Sequence, residues 1–344
     1  MPVAGCTATR RLLAALRGSS ASSVPVAEST LTGLNPFPDE WRLDVYKIDA
    51  LPMLNTEELD LRHNSDMPVV AALIERTMNE HHLPTSPTST GPLTDLAWAL
   101  RNHPKTLDRI ERVIFMGGAL SVPGNVHHAP QFFVDGASGG CDIAAEWNVF
   151  WDPAAADEAS ISIRCPAGAG ASRCNKSGKV PLRMDVVRAL GRQSAGHAAS
   201  AVVAALWALC AHFIALDKPY YAWDAVAAGL FLWPEAYRCE EAKCRVFATG
   251  PRQGVVEVVV HAGGGDGSGG DCGASGSDGR IGGVRRAGPA RKAGDGSLRG
   301  SSVHAAAASA EKVGETNLHR VTVAVAIDSD LFYERLLKVL RSGT

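Results

Sequence analysis

Four stretches of this chain carry side chains able to bind a polar ligand or move charge. Thr90 opens TGPLTDLA, Asn125 ends the tripeptide PGN, Glu146, Trp147 and Asn148 lie within AEWNVFWDPAAADE, and Trp223 and Asp224 lie within YYAWDAVAAGLF. Glu146 and Asn148 are two residues apart, which puts a carboxylate and a carboxamide on one side of an extended segment. From there they can hold hydroxyl groups, the carboxylate through charge-assisted hydrogen bonds. Asp224 interrupts an apolar run, where a carboxylate needs a partner to offset its lost hydration. Taken singly, Glu146 also fits a solvated loop carboxylate and Asn125 a turn residue after Gly124. His127 and His128 fall in a loop between motifs and read more readily as surface histidines than as ligands.

Positioning these residues requires short strands and helices in alternation. Arg112 to Met116 (RVIFM) reads as a buried strand ending in a tight turn at Gly117-Gly118, with Leu93 to Leu100 as the helix before it. Asp152 and Pro153 have the residue types of an N-cap and a first helical position. Val255 to Val260 and Val321 to Ile327 read as strands of one hairpin, followed by a helix from Ser329 to Leu340. Thr7 to Leu16 reads as a surface helix burying Leu12, Leu13 and Leu16. The acid-free, Arg- and Ser-bearing stretch from Met1 to Ala27 also has the composition of an organelle transit peptide. Ala198 to Leu216 is long enough for a membrane span, but its alanines, Ser200 and His212 favour a buried helix.

A chain of 344 residues with 46% hydrophobic and 20% charged side chains can bury one large core. Its net charge of −2, without basic clusters, excludes a broad attraction to nucleic acid or anionic membrane. The eight cysteines contain no CxxC pair and read as free thiols of a reducing compartment. Cys239 and Cys244 are spaced to close a small loop or hold a metal, but nothing nearby completes a zinc set. The domain reading is an α/β domain over 1–262, a Gly/Ser/Ala-rich insert over 263–310 that cannot offset its chain entropy by burial, and a closing strand and helix over 311–344.

The ordered series TGPLTDLA, RVIFMGGAL, PGN and AEWNVFWDPAAADE resembles the core of the inosine-uridine-preferring nucleoside hydrolases. VPVAES at 24–29, NPFPDEWR at 35–42, YYAWDAVAAGLF at 220–231 and the closing strands with their helix extend the likeness in both directions. TATRRLLAALRG then looks like the family's first post-strand helix, which counts against a transit peptide. The resemblance implies an α/β fold with a mostly parallel open sheet flanked by helices. It also implies hydrolysis of a ribonucleoside to free base and ribose through an oxocarbenium-like state. A Ca²⁺ ion is implied, gripping the 2′ and 3′ hydroxyls and orienting water, with Asp224 as a metal-binding carboxylate and the Thr90 carbonyl as a second donor. By the same likeness Glu146 and Asn148 bind ribose hydroxyls, Asn125 meets the 5′ side, and Trp147 holds a usually aromatic position. Trp223 stands where many members have a histidine that protonates the departing base. A homodimer or homotetramer and a cytoplasmic location, or an organellar one if the N-terminus is a transit peptide, complete the implied picture.

The sequence departs from the family at its start. Family members open with a strand and a DTDxGxDD-type loop that supplies the general base and most metal-binding carboxylates. Residues 1–6 hold no such loop, and Cys6 stands about where the family has a sugar-binding asparagine. The expectation is a coding sequence that begins upstream of Met1; the alternative is a catalytically impaired relative that binds or regulates. Without the loop, a central strand would be missing and leave a gap in the sheet. Asp224 and the Thr90 carbonyl alone would bind Ca²⁺ weakly, since that ion prefers six to eight oxygen ligands. Trp223 has an indole N–H to donate but no proton to surrender near neutral pH. A retaining glycosidase built on Glu146 lacks a second carboxylate at a suitable separation.

Overall fold

The structure is a computed structural model that describes residues 2–17, 24–36, 43–55, 73–74, 76–77, 80, 84–120, 124–126, 145–162, 171–174, 180–211, 220–261 and 318–342. The Gly-rich insert, His127, His128 and residues 37–42 lie outside them. Strands β1 (Thr88–Ser89), β2 (Ile114–Met116), β3 (Ala171–Cys174), β4 (Tyr237–Val246), β5 (Val256–His261) and β6 (His319–Ile327) form one sheet in the order β1-β2-β3-β6-β4-β5. β1, β2, β3 and β6 run parallel, while β4 is antiparallel to both of its neighbours. The expected α/β class is found, with a parallel half and an antiparallel half. The described strands pair without a break from β1 to β5, so the expected gap does not occur between any of them.

The helices are α1 (Pro2–Arg17), α2 (Asp44–Asp49), α3 (Thr94–Asn102), α4 (Trp147–Trp151), α5 (Pro153–Ser162), α6 (Met184–Gln193), α7 (Ala198–Leu209), α8 (Trp223–Leu232) and α9 (Ser329–Ser342). They cover both faces of the sheet. Period-two alternation divides the strands between two cores: Phe115 and Val323 join the cluster with Leu96 and Leu100 of α3 and Ala156 of α5. Ile114 and Ala324 join the opposite cluster with Leu190 of α6, Val226 and Leu230 of α8 and Phe332 of α9. Strands buried on both faces are continuous apolar runs, which is why RVIFM was readable as one. Across the first face, His319 Nε2 lies 2.6 Å from Asp157 Oδ1 and ties β6 to α5.

Several expectations are corrected. β5 and β6 do not form a hairpin: β4 lies between them, and the hairpin is β4–β5. β4 escaped notice because bulges between Arg238 and Cys239 and between Lys243 and Cys244 shift its alternation, while Glu240, Glu241 and Lys243 face solvent. Cys239 and Cys244 are free thiols on this strand, one exposed and one buried, rather than the ends of a small loop. α1 begins at Pro2, five residues before the expected Thr7, because proline suits a first helical position. Leu16 is exposed rather than buried. α7 ends at Leu209 with most side chains only half-buried, and among the described residues no helix is long and apolar enough to cross a membrane.

Candidate functional site

The carboxyl ends of parallel strands leave backbone groups that the sheet no longer pairs, and ligands bind there in open α/β sheets. β1 runs into Thr90 and β2 into Gly117-Gly118 at that edge. Asn148, in the first turn of α4, bridges the two ends. Its Nδ2 donates to the Thr90 carbonyl at 3.0 Å and to the Met116 carbonyl at 2.8 Å. Both partners are pure acceptors, so the amide orientation is fixed, and Oδ1 is the atom left for a ligand hydroxyl.

Glu146 and Asn148 were expected on an extended segment; instead Glu146 is the N-cap of α4 and Asn148 is helical. The Glu146 Oε2 accepts from Gly118 N–H at 3.0 Å, Asn148 N–H at 3.0 Å and Val149 N–H at 3.4 Å. Glutamate is an uncommon cap. It serves here because Gly118, on a different element, adds a third donor that only the folded chain supplies. Gly118 reaches that position with φ of 80°, a left-handed conformation that favours glycine. At 6% exposure Glu146 is a buried carboxylate rather than a solvated loop residue.

Asn125 completes the frame from the far side. Its Oδ1 accepts from Trp147 N–H at 3.0 Å, and its own N–H donates to the Ala145 carbonyl at 2.9 Å. Gly124 is required there, because a Cβ would sit 1.8 Å from the Ala145 oxygen. The Trp147 ring is 4% exposed and packs edge-on against Phe150, with ring centres 5.7 Å apart. Its backbone, more than its ring, joins the site. Asn35 holds the other end of α4, donating from its N–H to the Trp151 carbonyl at 2.9 Å and from Nδ2 to Gln253 Oε1 at 3.1 Å.

Trp223 and Asp224 begin α8, which packs against β1, β2 and β3. Neither makes a hydrogen bond to the Thr90–Asn148 frame among the described residues. Residues 220–222 are clamped to residues 180–182: Leu182 N–H donates to the Tyr220 carbonyl at 2.7 Å and Ala222 N–H to the Val180 carbonyl at 3.0 Å. The Asp224 carboxyl meets solvent on one side, yet the protein around it raises its pKa above the usual carboxylate range by desolvation. Its place in the first helical turn favours negative charge.

Two further pairs were not legible. Asp152 caps α5 as expected, its Oδ1 accepting from Ala155 N–H at 3.0 Å, but its Oδ2 also accepts from Thr94 Oγ at 2.7 Å. That contact locks the TGPLT segment to the α4–α5 junction. Ser29 Oγ donates to Asp95 Oδ1 at 2.7 Å; burial pushes the Asp95 pKa up and the serine hydrogen bond partly opposes it. Only Asp and Thr at helix starts hinted at these pairs, and their long-range partners had no local signal. Cys6 lines a cleft of about 710 Å³ between α1 and residues 24–31. Its thiol donates to the Ala27 carbonyl at 3.5 Å, and burial raises its pKa.

The donor set decides whether these residues suit Ca²⁺. The Thr90 carbonyl already accepts one hydrogen bond, Asp224 is a single carboxylate, and no group of three His, Cys, Asp or Glu able to hold a metal occurs among the described residues. Against a need for six to eight oxygens, the described residues do not fit the ion by themselves.

Comparison with known proteins agrees with this architecture. The sequence model described as "Inosine-uridine preferring nucleoside hydrolase" matches residues 4–334. Over 85 residues the chain is 36% identical to the pyrimidine-specific ribonucleoside hydrolase RihA of Shewanella oneidensis, covering 25% of this chain and 22% of that one. It is 33% identical over 85 residues to the RihA of Escherichia coli O1:K1 / APEC, with the same coverage. The matched stretch thus spans about a fifth of these curated relatives, 22% of their length. Among solved structures, the inosine-uridine preferring nucleoside hydrolase of Bacillus anthracis superposes with a TM-score of 0.63 at 22% identity, over 99% of this chain and 96% of that one. The purine-preferring ribonucleoside hydrolase of Gardnerella vaginalis gives 0.59 at 16% identity, over 97% and 85%. These structural likenesses speak for the fold.

Proposed function

Because the chain belongs to the inosine-uridine preferring nucleoside hydrolase family, we propose that it hydrolyses the N-glycosidic bond of ribonucleosides to free base and ribose. The observation that carries this reading is the Asn148 bridge: one amide spans the carboxyl ends of β1 and β2 and leaves its oxygen for a hydroxyl. In this account Asn148 Oδ1 accepts from a ribose hydroxyl. Glu146, held by its cap, presents negative charge to a sugar that becomes cationic as the bond breaks. Asn125 has spent its oxygen on Trp147 N–H, so its Nδ2 is the group that donates toward the 5′ side. Trp223 offers the departing base an aromatic surface and an indole N–H.

The names of the curated relatives support a ribonucleoside substrate, and the differing preferences of the relatives leave the choice of base to other contacts. Asp224 and the Thr90 carbonyl are the described donors nearest in kind to a divalent-ion site, and their own affinity for Ca²⁺ is expected at about 10⁻³ M or weaker. Free thiols at Cys6, Cys210, Cys239 and Cys244 support a reducing, cytoplasmic setting.

The test is release of free base, read by chromatography, when the full chain is incubated with inosine or uridine across a Ca²⁺ series. Release that falls at least about tenfold in Asn148→Ala is expected, because removing a hydrogen bond made to the reacting sugar costs that much or more. No base from either nucleoside at millimolar Ca²⁺ would overturn the reading in favour of a binding protein.

A further inference from the structure

Two hydrogen bonds tie the stretch after β1 to the stretch around α4 at one and the same sequence offset. Asn148 Nδ2 donates to the Thr90 carbonyl at 3.0 Å, and one helical turn further along both segments Thr94 Oγ donates to Asp152 Oδ2 at 2.7 Å. Both contacts span 58 residues, so the two segments lie side by side and run in the same direction. The helices that follow keep this arrangement. Leu96, Ala97 and Leu100 of α3 share a core with Ala155, Ala156 and Ala159 of α5, and near the far end Arg101 Nε donates to Glu158 Oε1 at 2.9 Å.

The Thr94 contact is not needed to start its own helix. α3 begins after Leu93, which makes no side-chain cap, and the Thr94 hydroxyl is spent at the α4–α5 junction instead. Asp152 is buried and divides its carboxylate: Oδ1 caps α5 through Ala155 N–H at 3.0 Å, and Oδ2 takes Thr94. A carboxylate acceptor makes this contact stronger than one between neutral groups. Residues 90–93 form neither helix nor strand. The place of the Thr90 carbonyl therefore depends on what holds the two ends of that stretch, β1 on one side and the Thr94 contact on the other. The Arg101–Glu158 pair differs in kind, because Arg101 is largely exposed and exposed ion pairs contribute little.

Resting on the hydrolase reading above, we propose that Thr94 and Asp152 are positioning residues for the reaction, their hydrogen bond holding the Thr90 carbonyl and α4 at the spacing that Asn148 spans. They act through Asn148 rather than on the sugar. While the Thr90 carbonyl stays in place, both Nδ2 hydrogens stay on carbonyls and Oδ1 is left for the ligand. When the spacing loosens, the amide loses an acceptor and is free to turn, offering Nδ2 in place of Oδ1. A ribose hydroxyl that donates as the sugar becomes cationic then has no acceptor there, a loss felt in the rate more than in binding.

The test uses the full chain and two readouts. Thr94→Val keeps the side-chain shape and the α5 cap but removes the hydroxyl. The Asn148 side-chain amide protons, identified in NMR spectra by their loss in Asn148→Asp, should exchange slowly with solvent in wild type, and Thr94→Val should speed that exchange by about tenfold. With uridine or inosine, kcat and kcat/KM should fall together by about tenfold or more in the same variant, KM staying near its wild-type value. Thr94→Ser, which restores the hydroxyl, should recover both readouts, and Glu158→Gln, at the far end of the same helix pair, should move neither. If Thr94→Val does not fold, as read by its thermal midpoint, Thr94→Ala carries the same test. Unchanged amide exchange, or unchanged kcat in an active chain, overturns the proposal, and so does an equal effect from Glu158→Gln. If wild type releases no base, the hydrolase reading fails, while the amide exchange still decides whether Thr94 and Asp152 hold Asn148 in place.

Discussion

The frame around Glu146 and the corner around Trp223 are built on opposite terms. In the first, polar atoms are consumed by the protein: Glu146 Oε2 takes backbone N–H groups from Gly118, Asn148 and Val149, and both Asn148 Nδ2 hydrogens go to carbonyls. In the second, the backbone is clamped but the Asp224 carboxylate has no described hydrogen-bond partner. Buried polar groups that are satisfied internally fix a shape, whereas a carboxylate that meets solvent is satisfied by water and constrains its surroundings less. The first region is therefore scaffold with one spare oxygen, and the second keeps a carboxylate that the described scaffold does not consume.

The contrast can be broken by mutation. Glu146→Ala should give the larger loss, because it strands buried N–H groups of two elements at once. A destabilisation of about 1–3 kcal/mol is expected, read as a lower denaturant midpoint. An unchanged midpoint would mean that the cap is not holding β2 and α4 together.

Asp224→Asn should do little to the fold, and in the opposite direction. Burial raises the Asp224 pKa in the folded chain above the ordinary aspartate value of 3.8. The folded state therefore holds this proton more tightly than the unfolded state does, and ionising the group costs stability once pH rises above 3.8 and through the raised folded value. Removing the charge should leave the midpoint equal or slightly higher at pH 7. Below the unfolded value, where both states are protonated, wild type and variant should coincide. A clear loss of stability at pH 7 would show that Asp224 has a structural partner and would erase the contrast.

Much of the parallel half was legible from local pattern. RVIFMGG declared a buried strand and tight turn, Asp152-Pro153 a helix start, and the motif order placed Thr90, Glu146 and Asn148 in one neighbourhood. The antiparallel half was less so. β4 carries Glu240, Glu241 and Lys243 on its outer side and two bulges, so the period that marks a strand is broken twice. Without β4, joining β5 to β6 was the economical reading and the wrong one. The Glu146 cap was hidden for another reason: glutamate caps poorly by local propensity, and its third donor comes from Gly118, 28 residues away. The Thr94–Asp152 and Ser29–Asp95 contacts likewise exist only once distant helices are packed.

The pocket itself is the central claim, and a crystal structure of the chain soaked with ribose tests it most directly. The account predicts a pentose hydroxyl about 2.8 Å from Asn148 Oδ1, with Nδ2 still on the Thr90 and Met116 carbonyls. Ribose bound away from Asn148, or an Asn148 amide turned so that Nδ2 faces the sugar and abandons those carbonyls, would contradict it.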